Sequence, residues 1–170
     1  RFMFVCAMNP CKCGWYGHPS GRCICSDNSV IKYHERLSGP LLDRIDLYIE
    51  TPSLEYDELR ERSGAEPSSA VRSRVNRARE FQHRRYEESG ITCNARIGTK
   101  QLEEYCSLSS DCEKLMRDAY SRLSMTARSY DRVLRVARTV ADLDQSESIE
   151  PSHLAEAIRY RMSILSRVKS

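Results

Sequence analysis

Four thiols within fifteen residues are the chain's most concentrated chemistry. Cys11 and Cys13 make one Cys-x-Cys pair, Cys23 and Cys25 another, and nine residues separate them. Gly14, Gly17, Pro19 and Gly21 leave no room for a helix or a long strand, so this loop needs a clasp. Four thiolates at two tight knuckles meet the demand of a tetrahedral zinc ion, and a sphere closed by four cysteines is structural rather than catalytic. The spacing is Cys-x-Cys, not the commoner Cys-x-x-Cys. Disulfides are the competing reading. Against them, Cys6, Cys93, Cys106 and Cys112 lie in apolar or amphipathic surroundings, as reduced core cysteines do. His18 and His34 are the alternative ligands. Trp15 and Tyr16, at the loop tip, could stack on a base or on a neighbouring subunit, or pack beneath their own loop.

The elements that would position this loop begin before it. Phe2–Met8 (FMFVCAM) is continuously apolar, as a strand covered on both faces would be, and Asn9-Pro10 ends it at the carboxyl edge where open α/β sheets bind ligands. After the loop, Ser26-Asp27-Asn28 caps a short helix over Ser29–Leu37, and Pro40 starts a turn through Leu41-Leu42-Asp43-Arg44. Ile45–Glu50 alternates apolar and polar at the strand period. Tyr56–Arg62 reads as a short charged helix, and Ser63–Ser69 as linker.

Everything further along has the helical period. Ala70–Glu88 places Val71, Val75, Ala78 and Phe81 together, with six arginines (Arg72, Arg74, Arg77, Arg79, Arg84, Arg85) against three glutamates, and ends at Gly90. Thr99 caps a helix through Cys106, and Ser109 or Ser110 caps one to about Leu123 with Cys112, Leu115, Met116 and Ala119 inward. Thr126 opens a helix striped by Tyr130, Val133, Leu134, Ala137, Val140 and Ala141. The last helix, Ser152–Met162, carries Leu154, Ala157, Ile158 and Arg161. Short striped helices imply a small bundle. The expected fold is mainly α: a two-stranded remnant of an α/β core with a cysteine loop over residues 1–55, a linker over 56–69, and a helical domain over 70–170.

Composition limits the function classes. A length of 170 residues with 40% hydrophobic content supports a packed core, and a net charge of +3 is too small to argue nucleic-acid binding by itself. No apolar run reaches the length of a membrane span, so the expectation is a soluble, cytoplasmic protein with no membrane partner. A start at Arg1, already inside an apolar strand pattern, reads as the C-terminal part of a longer protein.

The combination FMFVCAMNPC-x-CG, a second Cys-x-Cys pair, LSGPLLDRIDLYIE and ARSYDRVLRVARTVADL resembles, over essentially the whole chain, the C-terminal half of the ComM/YifB proteins, the magnesium-chelatase-like branch of the AAA+ ATPases. The resemblance implies a homo-oligomeric ring, expected to be a hexamer, that hydrolyses ATP with Mg²⁺ and works on DNA, as in branch migration during transformation. It implies that Asn9 is sensor 1, positioning the water that attacks the γ-phosphate, and that Arg44 is the arginine finger reaching a neighbour's nucleotide. It implies that Arg128 is sensor 2, facing the subunit's own nucleotide, with Arg132 the second choice. Taken without the family, Asn9-Pro10 is an ordinary turn, Arg44 pairs locally with Asp43 or Asp46, and Arg128 is a solvated helix-end arginine. Ser129 stands where a small Gly-like residue is expected.

The chain contains no G-x-x-x-x-G-K-[ST] and no apolar strand ending in paired acids, so the phosphate cradle and Mg²⁺ ligands are absent and the chain alone is expected not to hydrolyse ATP. The strand that normally lies between its two strand segments is missing too. The pair is expected to close the gap, borrow a strand or remain frayed, so that residues 1–55 depart from the family fold more than the bundle does. Two other readings stand beside the motor: a zinc-stapled module that binds DNA or protein without catalysis, and a chelatase-type motor for metal insertion.

Overall fold

The computed structural model describes residues 3–52, 60 and 66–161. The charged helix read over Tyr56–Arg62 and most of the linker lie outside the described residues, as does the Met162 end of the last helix.

Seven α-helices are described. α1 (Asp27–His34) begins at Ser26, whose hydroxyl accepts from the Ser29 N–H, and α2 (Gly39–Leu42) begins at Ser38 with proline in its first turn. α3 (Ser68–Tyr86) ends before Gly90, whose φ of +70° turns the chain away. Two 3₁₀ turns, Asn94–Arg96 and Thr99–Gln101, lead into α4 (Leu102–Tyr105). α5 (Ser110–Arg122) is capped by Ser109, and α6 (Ala127–Leu143) by Thr126. α7 (Pro151–Arg159), like α2, has proline in its first turn, where the missing N–H costs no helical bond. Ser26, Ser109 and Thr126 are thus caps where the sequence read them as caps; Thr99 is not, because Gly98 holds the N-cap position of its 3₁₀ turn and the Thr99 hydroxyl donates to Asp131 at 2.8 Å instead.

α6 is the central element. It packs against α3, α4, α7 and the Asn94 turn, and α5 packs against α7. The resulting core includes Val133, Leu134, Ala137 and Ala141 of α6, Cys112 and Met116 of α5, Leu154 and Ala157 of α7, and Tyr86 of α3. The expected mainly α architecture with a helical bundle is what forms.

At two places the details differ from the expectation. Residues 3–8 and 45–50, read as strands, carry no ladder; among the described residues the sole pairing outside helices is an isolated parallel bridge between Leu108 and Ile149. A strand's backbone groups need a partner strand, and none is adjacent here. Met3, Val5 and Ile49 are consequently exposed. On α3, Val71 and Val75 are also exposed; Ala78, Gln82 and Tyr86 continue their face and are buried. The helix runs past the bundle that covers it, so only its C-terminal half is packed.

Inside the bundle lies a polar network that the apolar stripe of α6 does not announce. Asp142 is fully buried and accepts from Arg138 Nε at 3.2 Å, Arg85 Nη2 at 2.5 Å and Asn94 Nδ2 at 2.7 Å. Arg138 spends its remaining donors on the carbonyls of Glu147 (2.7 Å) and Ser146 (2.5 Å), and Tyr86 donates to Asn94 Oδ1 at 2.6 Å. The buried carboxylate is compensated by three donors, as a charge inside a protein requires, whereas Arg85 Nη1 is buried without a hydrogen-bond partner among the described residues.

Candidate metal centre and arginine loop

The cysteine loop folds back so that its four sulfurs meet. Cys11 Sγ lies 3.3 Å from Cys13 Sγ and 3.9 Å from Cys23 Sγ, and Cys13 and Cys23 are 3.6 Å apart. With Cys25, all four sulfurs lie within 4.8 Å of one another. A tetrahedral ion about 2.3 Å from each thiolate would set its ligands roughly 3.8 Å apart, so this cluster fits one. The tight turn Cys11–Gly14 closes through the Gly14 N–H donating to the Cys11 carbonyl at 3.1 Å, with Gly14 at φ +83°, a conformation glycine adopts freely. The backbone N–H groups of Trp15 and then Ile24, with the Cys11 thiol, hold Cys13 down at about 6. At Cys23 the Cys25 N–H acts in the same direction, but burial and the adjacent thiols outweigh it and push the group up to about 11. One ready thiolate beside thiols that surrender their protons on binding is a donor set suited to a thiophilic cation.

The two histidines considered as substitutes are engaged elsewhere. His34, buried, donates from Nε2 to the Pro10 carbonyl at 2.8 Å and so ties α1 to the first knuckle. His18 Nδ1 is bonded to Ser20, to the hydroxyl at 2.6 Å and the N–H at 3.0 Å. Trp15 meets the His18 ring edge-on at 5.0 Å, and Arg22 covers its face at 5.2 Å. Its partners are thus within its own loop.

Asn9 is exposed and its side chain lies across the knuckle, 3.8 Å from where a Cβ on Gly14 would be. No hydrogen bond joins it to Arg44 among the described residues.

Arg44 projects from the turn after α2. It is exposed, and the one hydrogen bond its side chain makes among the described residues runs from Nη1 to the Pro40 carbonyl at 2.9 Å. It pairs with neither adjacent carboxylate, because both are taken by the bundle. Asp43 accepts from the Ser129 hydroxyl at 3.3 Å and lies 3.7 Å from Arg161 Nη2; Asp46 pairs with Arg132. Arg161 also donates to the Ile45 carbonyl and to Ser129 Oγ, and sits over the Tyr48 ring at 5.3 Å. Tyr48 donates its N–H to the Tyr160 carbonyl at 2.8 Å and its hydroxyl to the Leu42 carbonyl. Burial raises the Tyr48 phenol above its ordinary range.

The two sensor-2 candidates therefore differ. Arg132 is held by Asp46. Arg128, in the first turn of α6, is exposed with no hydrogen-bond or ion-pair partner among the described residues. Ser129 is buried, and its hydroxyl serves Asp43 and Arg161, which a glycine could not do. Sequence reasoning noticed Ser129 only as a departure and read Arg161 only as part of a docking face; the i,i+3 carboxylates Asp43 and Asp46 were the available signal of a docked segment.

Fold and site together define a helical-bundle protein against which a segment with four clustered cysteines is fastened by arginine–carboxylate contacts. Residues 65–161 match the family described as magnesium chelatase, subunit ChlI C-terminal, and residues 1–59 match magnesium chelatase, subunit ChlI. The chain belongs to the magnesium-chelatase family, in its ComM/YifB branch. It is 38% identical over 165 residues to competence protein ComM of Haemophilus influenzae, covering 96% of this chain and 31% of that protein. It is 37% identical over 162 residues to the YifB protein of Salmonella typhimurium, covering 95% and 31%. A Mycobacterium bovis protein is 36% identical over 163 residues, covering 96% and 32%. The chain thus spans about a third of the length of these relatives. Among the described residues no helix is long and apolar enough to cross a membrane.

Proposed function

We propose that the chain is the finger-and-lid portion of a cytoplasmic AAA+ motor that hydrolyses ATP as a homo-oligomeric ring, with six subunits, and acts on DNA. In this reading Arg44 enters the neighbouring subunit's nucleotide site, Arg128 faces the nucleotide of its own subunit, and Asn9 orients the attacking water. The phosphate loop and Mg²⁺ ligands belong to a portion outside this chain. Cys11, Cys13, Cys23 and Cys25 hold a zinc ion, which supplies a rigid four-thiolate staple and no reaction step.

The observation that carries the reading is the state of Arg44. An arginine between two carboxylates three residues apart ordinarily pairs with one of them. Here both carboxylates are drawn to the bundle, which leaves a permanently charged fork facing outward from an anchored backbone. That suits stabilisation of charge on a transferring phosphoryl group, where such an arginine is worth about 10³-fold or more in kcat. The test is ATP turnover by the full-length protein. Arg44→Ala is expected to lower kcat by about 10³-fold with KM little changed, and subunits carrying it should depress wild-type subunits in mixed rings. Full activity of Arg44→Ala would reject the assignment.

A second reading has its own observation. Arg72, Arg77 and Arg79 lie exposed on or beside the uncovered half of α3. They favour direct contact with nucleic-acid phosphates, as a binding module would make. Loss of affinity with rising salt, with the slope reduced by about one for each arginine removed, is the mark of that contact. Chelatase-type metal insertion rests on the family description alone.

A further inference from the structure

The arginines assigned to two different nucleotide sites are chain neighbours of residues that touch each other. Asp43 precedes Arg44, Ser129 follows Arg128, and the Ser129 hydroxyl donates to Asp43 Oδ1 at 3.3 Å. Arg161, just beyond α7, completes the cluster from the other side. Its Nη2 reaches Ser129 Oγ at 3.1 Å and Asp43 Oδ1 at 3.7 Å, its Nη1 donates to the Ile45 carbonyl, and its side chain is only 9% exposed. A planar guanidinium can serve a hydroxyl, a carboxylate and a carbonyl at once while stacking on Tyr48, which no other side chain could reproduce. The contacts bracket Arg44 on both sides: Asp43 before it, and Ile45, Asp46 and Tyr48 after it.

We propose that Arg161 is a positioning residue, the clamp through which the helical bundle sets where Arg44 is presented. The clamp also links the two arginines: any shift of the α6 N-terminus that Arg128 undergoes on meeting its own nucleotide is carried through Ser129 and Asp43 to the arginine offered to the next subunit. This second part rests on the motor reading above; the clamp itself does not. Positional precision at the charge-stabilising group is what such a support provides.

Hydrogen exchange on the 170-residue chain tests the clamp, with Arg161→Met as the variant. The amide of Tyr48, bonded to the Tyr160 carbonyl, is expected to exchange at least 10-fold faster, while amides within α5 and α6 keep their protection. Unchanged exchange at Tyr48 overturns the proposal. Should Arg161→Met loosen the bundle as well, Asp43→Asn, which approaches the contact from outside the bundle, decides the matter by the same readout. Arg44→Ala should leave Tyr48 exchange unaltered, because the Arg44 side chain bonds only the Pro40 carbonyl among the described residues. In the full-length protein Arg161→Met is expected to lower kcat about 10-fold at constant KM, and to add nothing to Arg44→Ala. Additive losses would overturn the link between clamp and finger, whereas full activity of Arg44→Ala would reject the finger assignment and leave the exchange result to decide the clamp.

Discussion

At the scale of single residues, the chemistry is set by what each charged or thiol group finds beside it. Cys13, held at about 6 by the Trp15 and Ile24 amides, is the ligand best prepared to receive a cation. Purified protein is expected to carry one zinc per chain, measured by elemental analysis, and Cys13→Ser or Cys23→Ser should abolish it; chains of wild-type sequence that never retain metal would sink the zinc assignment. Two buried groups set the alkaline limit. Burial pushes the Cys106 thiol up to about 11 and the Tyr86 phenol up to about 12. In the unfolded chain these groups ionise near 9 and 10, so the folded form holds its protons over an interval in which the unfolded form has lost them. The stability these two groups contribute is therefore fully present below pH 9 and should be lost as pH rises through 11 and 12. Urea unfolding at several pH values would follow that slope, and Cys106→Ala should flatten its lower part.

At the scale of elements, α6 matters most because it carries both the apolar stripe and the buried Asp142. Replacing Asp142 by alanine leaves Arg85 and Arg138 without their carboxylate, and one-sided removal from a buried pair costs about 3–5 kcal/mol. Denaturant midpoints of Asp142→Ala against the parent chain would read the loss directly. The opposite expectation holds for Arg74→Ala: its bidentate pair with Glu66 (2.8 and 3.0 Å) is exposed and screened by solvent, so the denaturant midpoint should not move measurably.

At the scale of the whole molecule, the two ends of the chain are stabilised by different means. Among the described residues the apolar core cluster lies between Tyr86 and Ile158. Among the described residues before Ala78, only Cys11, Val30 and His34 are buried. Burying one valine contributes about 1.5–3 kcal/mol, whereas ordering the chain costs about 1–2 kcal/mol for each residue. Packing alone therefore does not account for the order of the loop and α1, and the proposed metal would be their fastening. Chelation should abolish exchange protection across residues 10–34 and leave the amides of α5, α6 and α7 protected; simultaneous loss in both regions would show that the metal supports the bundle too.

Much of this was legible from local signals. Ser26, Ser109 and Thr126 cap the helices they were read to cap, Gly90 closes α3, and the four cysteines meet, because caps, turns and knuckles are settled by residues within a few positions of each other. The tertiary structure alone decided four matters: the strand patterns of 3–8 and 45–50 remain unpaired, α3 outruns its cover at Val71 and Val75, Arg138 and Asp142 turn inward, and Asp43 and Asp46 look to Ser129 and Arg132 instead of to Arg44. Each of these depends on which distant segment arrives alongside, and neither a hydrophobic period nor a charge pattern carries that information.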